Sequence, residues 1–168
     1  MNRLEVCALN TVLAACCLLY TVHCALFTAH CPLFTVHLVL MRQNITGGSP
    51  FEPIIGFSRA VRVGDTVHVA GTGPVGADDE DAAGQTRRVF AIAEKALSDA
   101  GASFSDVVRT TMYLTHVDDW QAVGRVHGEF FGTIRPAATM VVVAALLNPK
   151  WRIEIEFDAI IPETSGTA

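Results

Sequence analysis

Two apolar periods run through the chain, and they mark out its elements. Val89, Ile92, Ala93, Ala96, Leu97 and Ala100 recur at helical spacing, one stripe of a 3.6-residue repeat. Arg87, Arg88, Glu94, Lys95 and Asp99 fall mainly on other faces. Residues 81–100 are therefore predicted to form an amphipathic helix, ended by Gly101. A second stripe, Val123, Val126, His127, Phe130 and Phe131, predicts another helix. The pattern Asp118-x-x-Gln121 would open it as a capping box, and Gly132 would stop it. Strand alternation is clearest in 152–161: Arg152, Glu154, Glu156 and Asp158 on one side, Ile153, Ile155, Phe157 and Ala159 on the other. Residues 57–63 and 66–71 read as strands joined by a tight turn at Gly64-Asp65. Residues 106–117 are β-rich. Residues 138–147 are nearly continuously apolar, as a strand buried on both faces would be. The Gly-, Ser- and Pro-containing segment 41–53 has no period and is expected to be an irregular lead-in.

The predicted order is β-β-α-β-α-β-β. Two helices cannot cover both faces of a sheet of four or more strands, so they should share one face, giving an α+β layer. The other face then carries Arg109, Thr111, Tyr113 and the Glu154/Glu156 row. A sheet face that mixes polar and apolar groups is either solvated or meets another subunit.

Ahead of this pattern stands a different one. Residues 6–41 contain no Asp, Glu, Lys or Arg, and residues 19–38 repeat a unit of Leu, aromatic, Thr, any residue and His every seven positions. The run is long enough to span a bilayer as one helix, but it is too long for the apolar core of a signal peptide. On a helix, His23, His30 and His37 would lie about 10.5 Å apart. Zinc ligands sit about 2 Å from the metal, so neighbouring units could not share an ion. No packing requirement explains the unit, which looks like a tandem duplication. The expectation is that residues 1–40 are a non-native extension before a start at Met41, with a membrane anchor as the alternative, and that residues 41–168 are the working domain.

Charge and cysteine sharpen this division. The five cysteines, Cys7, Cys16, Cys17, Cys24 and Cys31, all lie in the first 31 residues. The main domain can have neither a disulfide nor a thiolate nucleophile, and a cytoplasmic location is expected unless residues 1–40 anchor it. Arg3 and Glu5 cancel, so the net charge of −5 belongs to the residues from Arg42 onward. A mildly acidic domain without a basic cluster lacks the footprint of a nucleic-acid binder.

Five stretches together resemble the YjgF/RidA family: residues 56–75 (GFSRAVRVGDTVHVAGTGPV), 88–120, 128–132 (GEFFG), 135–149 (RPAATMVVVAALLNP) and 153–160 (IEIEFDAI). The resemblance covers roughly residues 52–162. It implies a chorismate-mutase-like fold and a homotrimer whose sheets close into a barrel, with ligand clefts between subunits. It also implies cofactor-independent hydrolysis of reactive enamines and imines to a 2-oxo acid and ammonia. In the family, an Arg clamps the substrate carboxylate, backbone amides help to hold it, and a Glu positions or activates water. Matched residue by residue, the Glu is Glu154, the Gly after the second strand is Gly71, and a residue contributing its backbone is Met140. The family's Tyr is Phe57 and its substrate-facing Asn is Gly124. The clamping Arg is Ala138, so the chain resembles a branch that lacks it. A substrate would then be neutral, or would reach Arg135, three residues earlier. The same cleft could instead serve a trimeric ligand-binding protein without turnover.

The remaining candidates have plainer readings. Arg59, Arg62 and Arg152 are expected as strand-edge or interface charges, and His127 as a packed histidine. The acidic run Asp78-Asp79-Glu80-Asp81 lacks calcium-loop spacing and should lead, solvated, into a helix N-terminus.

Overall fold

The computed structural model describes residues 42–162. The repeat of residues 1–40, and the expectations attached to it, lie outside them. Six strands form one mixed sheet: β1 (Arg42–Ile45), β2 (Ala60–Val63), β3 (Thr66–Thr72), β4 (Val107–Leu114), β5 (Ala137–Val142) and β6 (Ile153–Ile160). Their spatial order is β1-β2-β3-β6-β4-β5. Only β4 and β5 pair in parallel; the other pairs are antiparallel. Helix α1 (Ala82–Asp99) links β3 to β4, and α2 (Trp120–Phe131) is the crossover from β4 to β5. This is the α+β architecture the periodicity predicts, with β1 added.

Both helices cover the face of β6 that carries Ile153, Ile155, Phe157 and Ala159, all buried. The core centres on Phe90 of α1. Its ring stacks on Phe130 at 4.6 Å between centroids and meets Phe104, Phe131 and Phe157 edge-on or tilted at 5.6–5.8 Å. These are favourable offset and edge-to-face separations. His127 is a packed histidine, as expected: its ring lies 4.9 Å from Phe131, and Nε2 is 3.0 Å from Thr110 Oγ1. Burial lowers its pKa. Asp81 caps α1 by accepting from the Gly84 amide at 2.8 Å.

Three sequence expectations change. Residues 42–45 are not irregular: they add an edge strand to β2. Asp118 does not cap α2. The N-cap is Asp119, whose carboxylate makes no capping bond; it takes two 2.7 Å bonds from Arg152 Nε and Nη2 instead. The apolar run 138–147 is not a strand buried on both faces. Only Ala137–Val142 are extended, at the sheet edge, and all but Met140 are exposed, because nothing in the described chain lies beyond β5.

Candidate functional site

The face opposite the helices carries Arg109, Thr111 and Tyr113 of β4 against Glu154, Glu156 and Asp158 of β6, as the alternation predicts. Tyr113 donates to Glu156 at 3.1 Å. Farther along the sheet, the β3–β6 register shifts between Val69 and Thr72. A bulge of this kind re-aims side chains, and here it sets Gly71 against the Glu154 carboxyl. A Cβ on Gly71 would collide with Glu154 Oε1. Glycine lets the carboxyl lie against the strand here; a larger residue would displace it by close approach, not by backbone angle.

Glu154 and Gly71 open onto a cleft of about 810 Å3. Phe57, Ile92 and Trp151 give it apolar walls, and Ser49, Arg59, Arg88 and Asn148 join Glu154 as its polar groups. Arg59 precedes β2. Its carbonyl accepts from the Ala70 amide at 3.0 Å, and its Nη1 donates to Gly71 O and Thr72 Oγ1, each at 3.0 Å. Gly71 is thus a shared anchor, with Arg59 on its carbonyl and Glu154 against its α-carbon. The guanidinium carbon is 6.0 Å from the Phe57 ring centre, at the outer limit of a cation–π contact.

The Trp151 wall is fixed by long-range bonds. Its indole N–H donates to Asp78 at 2.8 Å, and its ring occupies the space where a Gly73 side chain would lie. Buried Gln85 donates to Lys150 O and accepts from the Arg152 amide, so α1 holds the residues on both sides of Trp151. On the mouth side, Glu52 accepts from Thr46 Oγ1 and from the Gly47 amide. These bonds hold its carboxyl below the ordinary range. The acidic run is therefore only partly a solvated lead-in: Asp81 caps, Asp78 holds Trp151, and Asp79 pairs with Lys150 at 2.7 Å.

Electrostatics single out Glu154. Burial pushes its carboxyl above the ordinary 4.5, Glu156 adds to the rise, and Arg59 opposes it. A carboxyl with a raised pKa, in a cleft, beside a cation, has the character of an acid–base group.

Of the residues singled out in the sequence, the structure brings Phe57, Gly71 and Glu154 together. Arg135, Ala138 and Met140 do not line the cleft of their own chain. Ala138 and Met140 stand on β5, opposite Thr110 and Met112, two strands beyond β6. Arg135 has a φ of 56° and turns its Nε toward Gly132 O at 3.3 Å. Arg62 and Arg152 are structural, bonding Ala100 O and Asp119 respectively. Arg59 corrects the sequence reading: it is a cleft cation, not a strand-edge charge. Arg88 and Trp151 also went unread. Their signal would have been positional only, since both reach the cleft through tertiary folding.

Comparison with known proteins identifies the fold that carries this cleft. A family model described as Endoribonuclease L-PSP matches residues 48–161. The chain belongs to the YjgF/RidA family. A solved structure of a YjgF/YER057c/UK114 family member, Rv2704 from Mycobacterium tuberculosis, shares 47% sequence identity at a TM-score of 0.68, over 72% of this chain and all of that one. The YjgF-family protein NMB1025 from Neisseria meningitidis is 25% identical at a TM-score of 0.65, covering 74% and 98% of the two chains. A 2-iminobutanoate/2-iminopropanoate deaminase from Dermatophagoides farinae is 33% identical over 123 residues, 66% of this chain and 89% of the relative. The family fold thus extends across the cleft walls and the β6 carboxylate row.

Proposed function

We propose that this YjgF/RidA protein is a small-molecule hydrolase acting on imines, enamines or related reactive metabolites, without metal or organic cofactor. The observation that carries the reading is the half-buried Glu154 carboxyl, set against Gly71 in an apolar-walled cleft with its pKa raised. Hydrolysis of a protonated imine adds water across C=N. Glu154 takes a proton from the water as its oxygen bonds to carbon. Glu154 then returns that proton to the carbinolamine nitrogen; the C–N bond breaks as the hydroxyl oxygen closes to C=O, and the hydroxyl proton leaves with the nitrogen, giving a carbonyl and ammonium. The two products together contain every atom of imine and water. The deaminase relative supports this reaction class.

The cleft is proposed to be completed by a neighbouring subunit of a homotrimer. Two features support this. β5 presents an uncovered apolar edge, with Val141 and Val142 exposed. The positions that resemblance gives to substrate binding, Ala138 and Met140, lie on that edge and not in the cleft of their own chain. A second reading, a trimeric ligand-binding protein without turnover, is favoured by Ala138, which offers no cation where the family's clamp is expected. Ammonia release from 2-iminopropanoate and 2-iminobutanoate, generated in the assay, tests the two. Turnover that falls about 100-fold or more in Glu154→Gln fits the hydrolase. Saturable binding without ammonia release, across a panel of small imines and enamines, selects the binding protein.

A further inference from the structure

Arginine carries five N–H donors in a planar fork. In Arg59 the two on Nη1 are committed to Gly71 O and Thr72 Oγ1. Among the described residues, Nε and Nη2 have no acceptor and no carboxylate within ion-pair distance. No side-chain nitrogen there is both buried and unpartnered, so Nε and Nη2 are not sealed in the interior, and Arg59 lines the cleft. The Nε–Nη2 edge is a two-pronged surface matched to a carboxylate. Gly47 packs against this side chain: a Cβ there would lie 3.1 Å from Arg59 Nε and 3.2 Å from Glu52 Oε1. The nearby carboxylate of Glu52 already has its oxygens occupied by Thr46 and Gly47. Arg88 lines the same cleft, its Nε bonded to Val75 O at 2.8 Å.

We infer that Arg59 is the anion anchor of this cleft, its Nε–Nη2 edge receiving the carboxylate of a small 2-oxo or 2-imino acid. The cation missing at Ala138 is replaced from within the cleft's own chain, fixed on the Gly71 carbonyl beside Glu154. The ligand's short aliphatic chain then faces Phe57, Ile92 and Trp151, and its C2 faces Glu154. This replaces the expectation of a neutral substrate or of one held by Arg135. It rests on the reading of the cleft as the ligand site, but not on turnover.

The test is a titration of the full chain, followed by NMR, with 2-oxobutanoate and with its neutral amide. Wild type should bind the acid at least about tenfold more tightly than the amide, the ratio expected of a paired charged hydrogen bond. Arg59→Met should bring the acid down to the amide's affinity. Should Arg59→Met fail to fold, Arg59→Lys decides. It keeps a donor for Gly71 O but lacks the fork, and should lose most of the preference. Equal affinity for acid and amide in wild type overturns the inference. So does a preference that survives Arg59→Lys and disappears in Arg135→Ala. An acid preference in a protein without turnover sinks the hydrolase reading and keeps this one; turnover with Arg59-independent binding does the reverse.

Discussion

Glu154 and Gly71 depend on each other at the level of single atoms. A methyl group on Gly71 would collide with Glu154 Oε1, so Gly71→Ala must push the carboxyl out of place. Its expected effect is a loss of turnover of up to about a hundredfold, the scale of a 1 Å misplacement, with an almost unchanged urea midpoint. Kinetics beside denaturation would separate the two. The raised pKa of Glu154 also has a sign. Between the ordinary 4.5 and its raised value, the folded chain holds a proton that the unfolded chain has released. Stability contributed at this group therefore falls as pH rises through that window. Glu154→Gln removes the dependence. Urea titrations of both proteins from about pH 4 to about pH 7 should show the difference moving in the variant's favour as pH rises. A difference that stays flat would mean the carboxyl is not held protonated by the fold.

Elements with a strict local period were legible. The alternation of β6 placed Glu154, Glu156 and Asp158 on one face, and the stripe of α1 placed Val89, Ala93 and Leu97 inward, because one-sided burial writes its period into the chain. What stayed hidden was set by distant partners. β1 has the sequence Arg-Gln-Asn-Ile, without an apolar signal, and is a strand only because β2 offers a free edge. Asp118-x-x-Gln121 satisfies the capping rule, but the neighbouring Asp119 bonds Arg152 instead of the helix start. Arg59 looks like any alternating strand charge until Gly71 and Thr72 fold across to it. Phe57, Gly71 and Glu154 were found through family resemblance; no local pattern marks them as a site. The Asp119–Arg152 pair makes an element-scale prediction. Asp119 is 7% exposed, and its pair ties the start of α2 to the base of the Trp151 wall. Asp119→Ala should destabilise by about 1.5–3 kcal/mol in urea denaturation. Ligand affinity should also weaken, although Gln85 still holds the Arg152 amide at 2.8 Å.

For the molecule as a whole, the sheet has two unequal faces and two unequal edges. Helices cover one face. The other bears a row of charges on β4 and β6, and β5 closes the sheet with Val141 and Val142 open to solvent at 41% and 53%. A long, exposed, apolar edge strand invites pairing with another chain, and monomers usually blunt such edges with charge or proline. Ala137–Val142 carries neither. The apolar run that the sequence presents as doubly buried is therefore read best as buried by assembly. This same edge bears Ala138 and Met140, so assembly is what would bring them to a cleft. Light scattering should give about three times the monomer mass, the stoichiometry expected from resemblance to the family. Val141→Glu, which puts a charge on the proposed contact without touching the core around Phe90, should shift the protein to monomer. Its helical circular dichroism should be retained, and the affinity for 2-oxobutanoate should drop if the neighbour completes the cleft. Were wild type to scatter as a monomer, Ala138 and Met140 would have no route to the ligand, and the cleft would have to act with Phe57, Arg59, Gly71 and Glu154 alone.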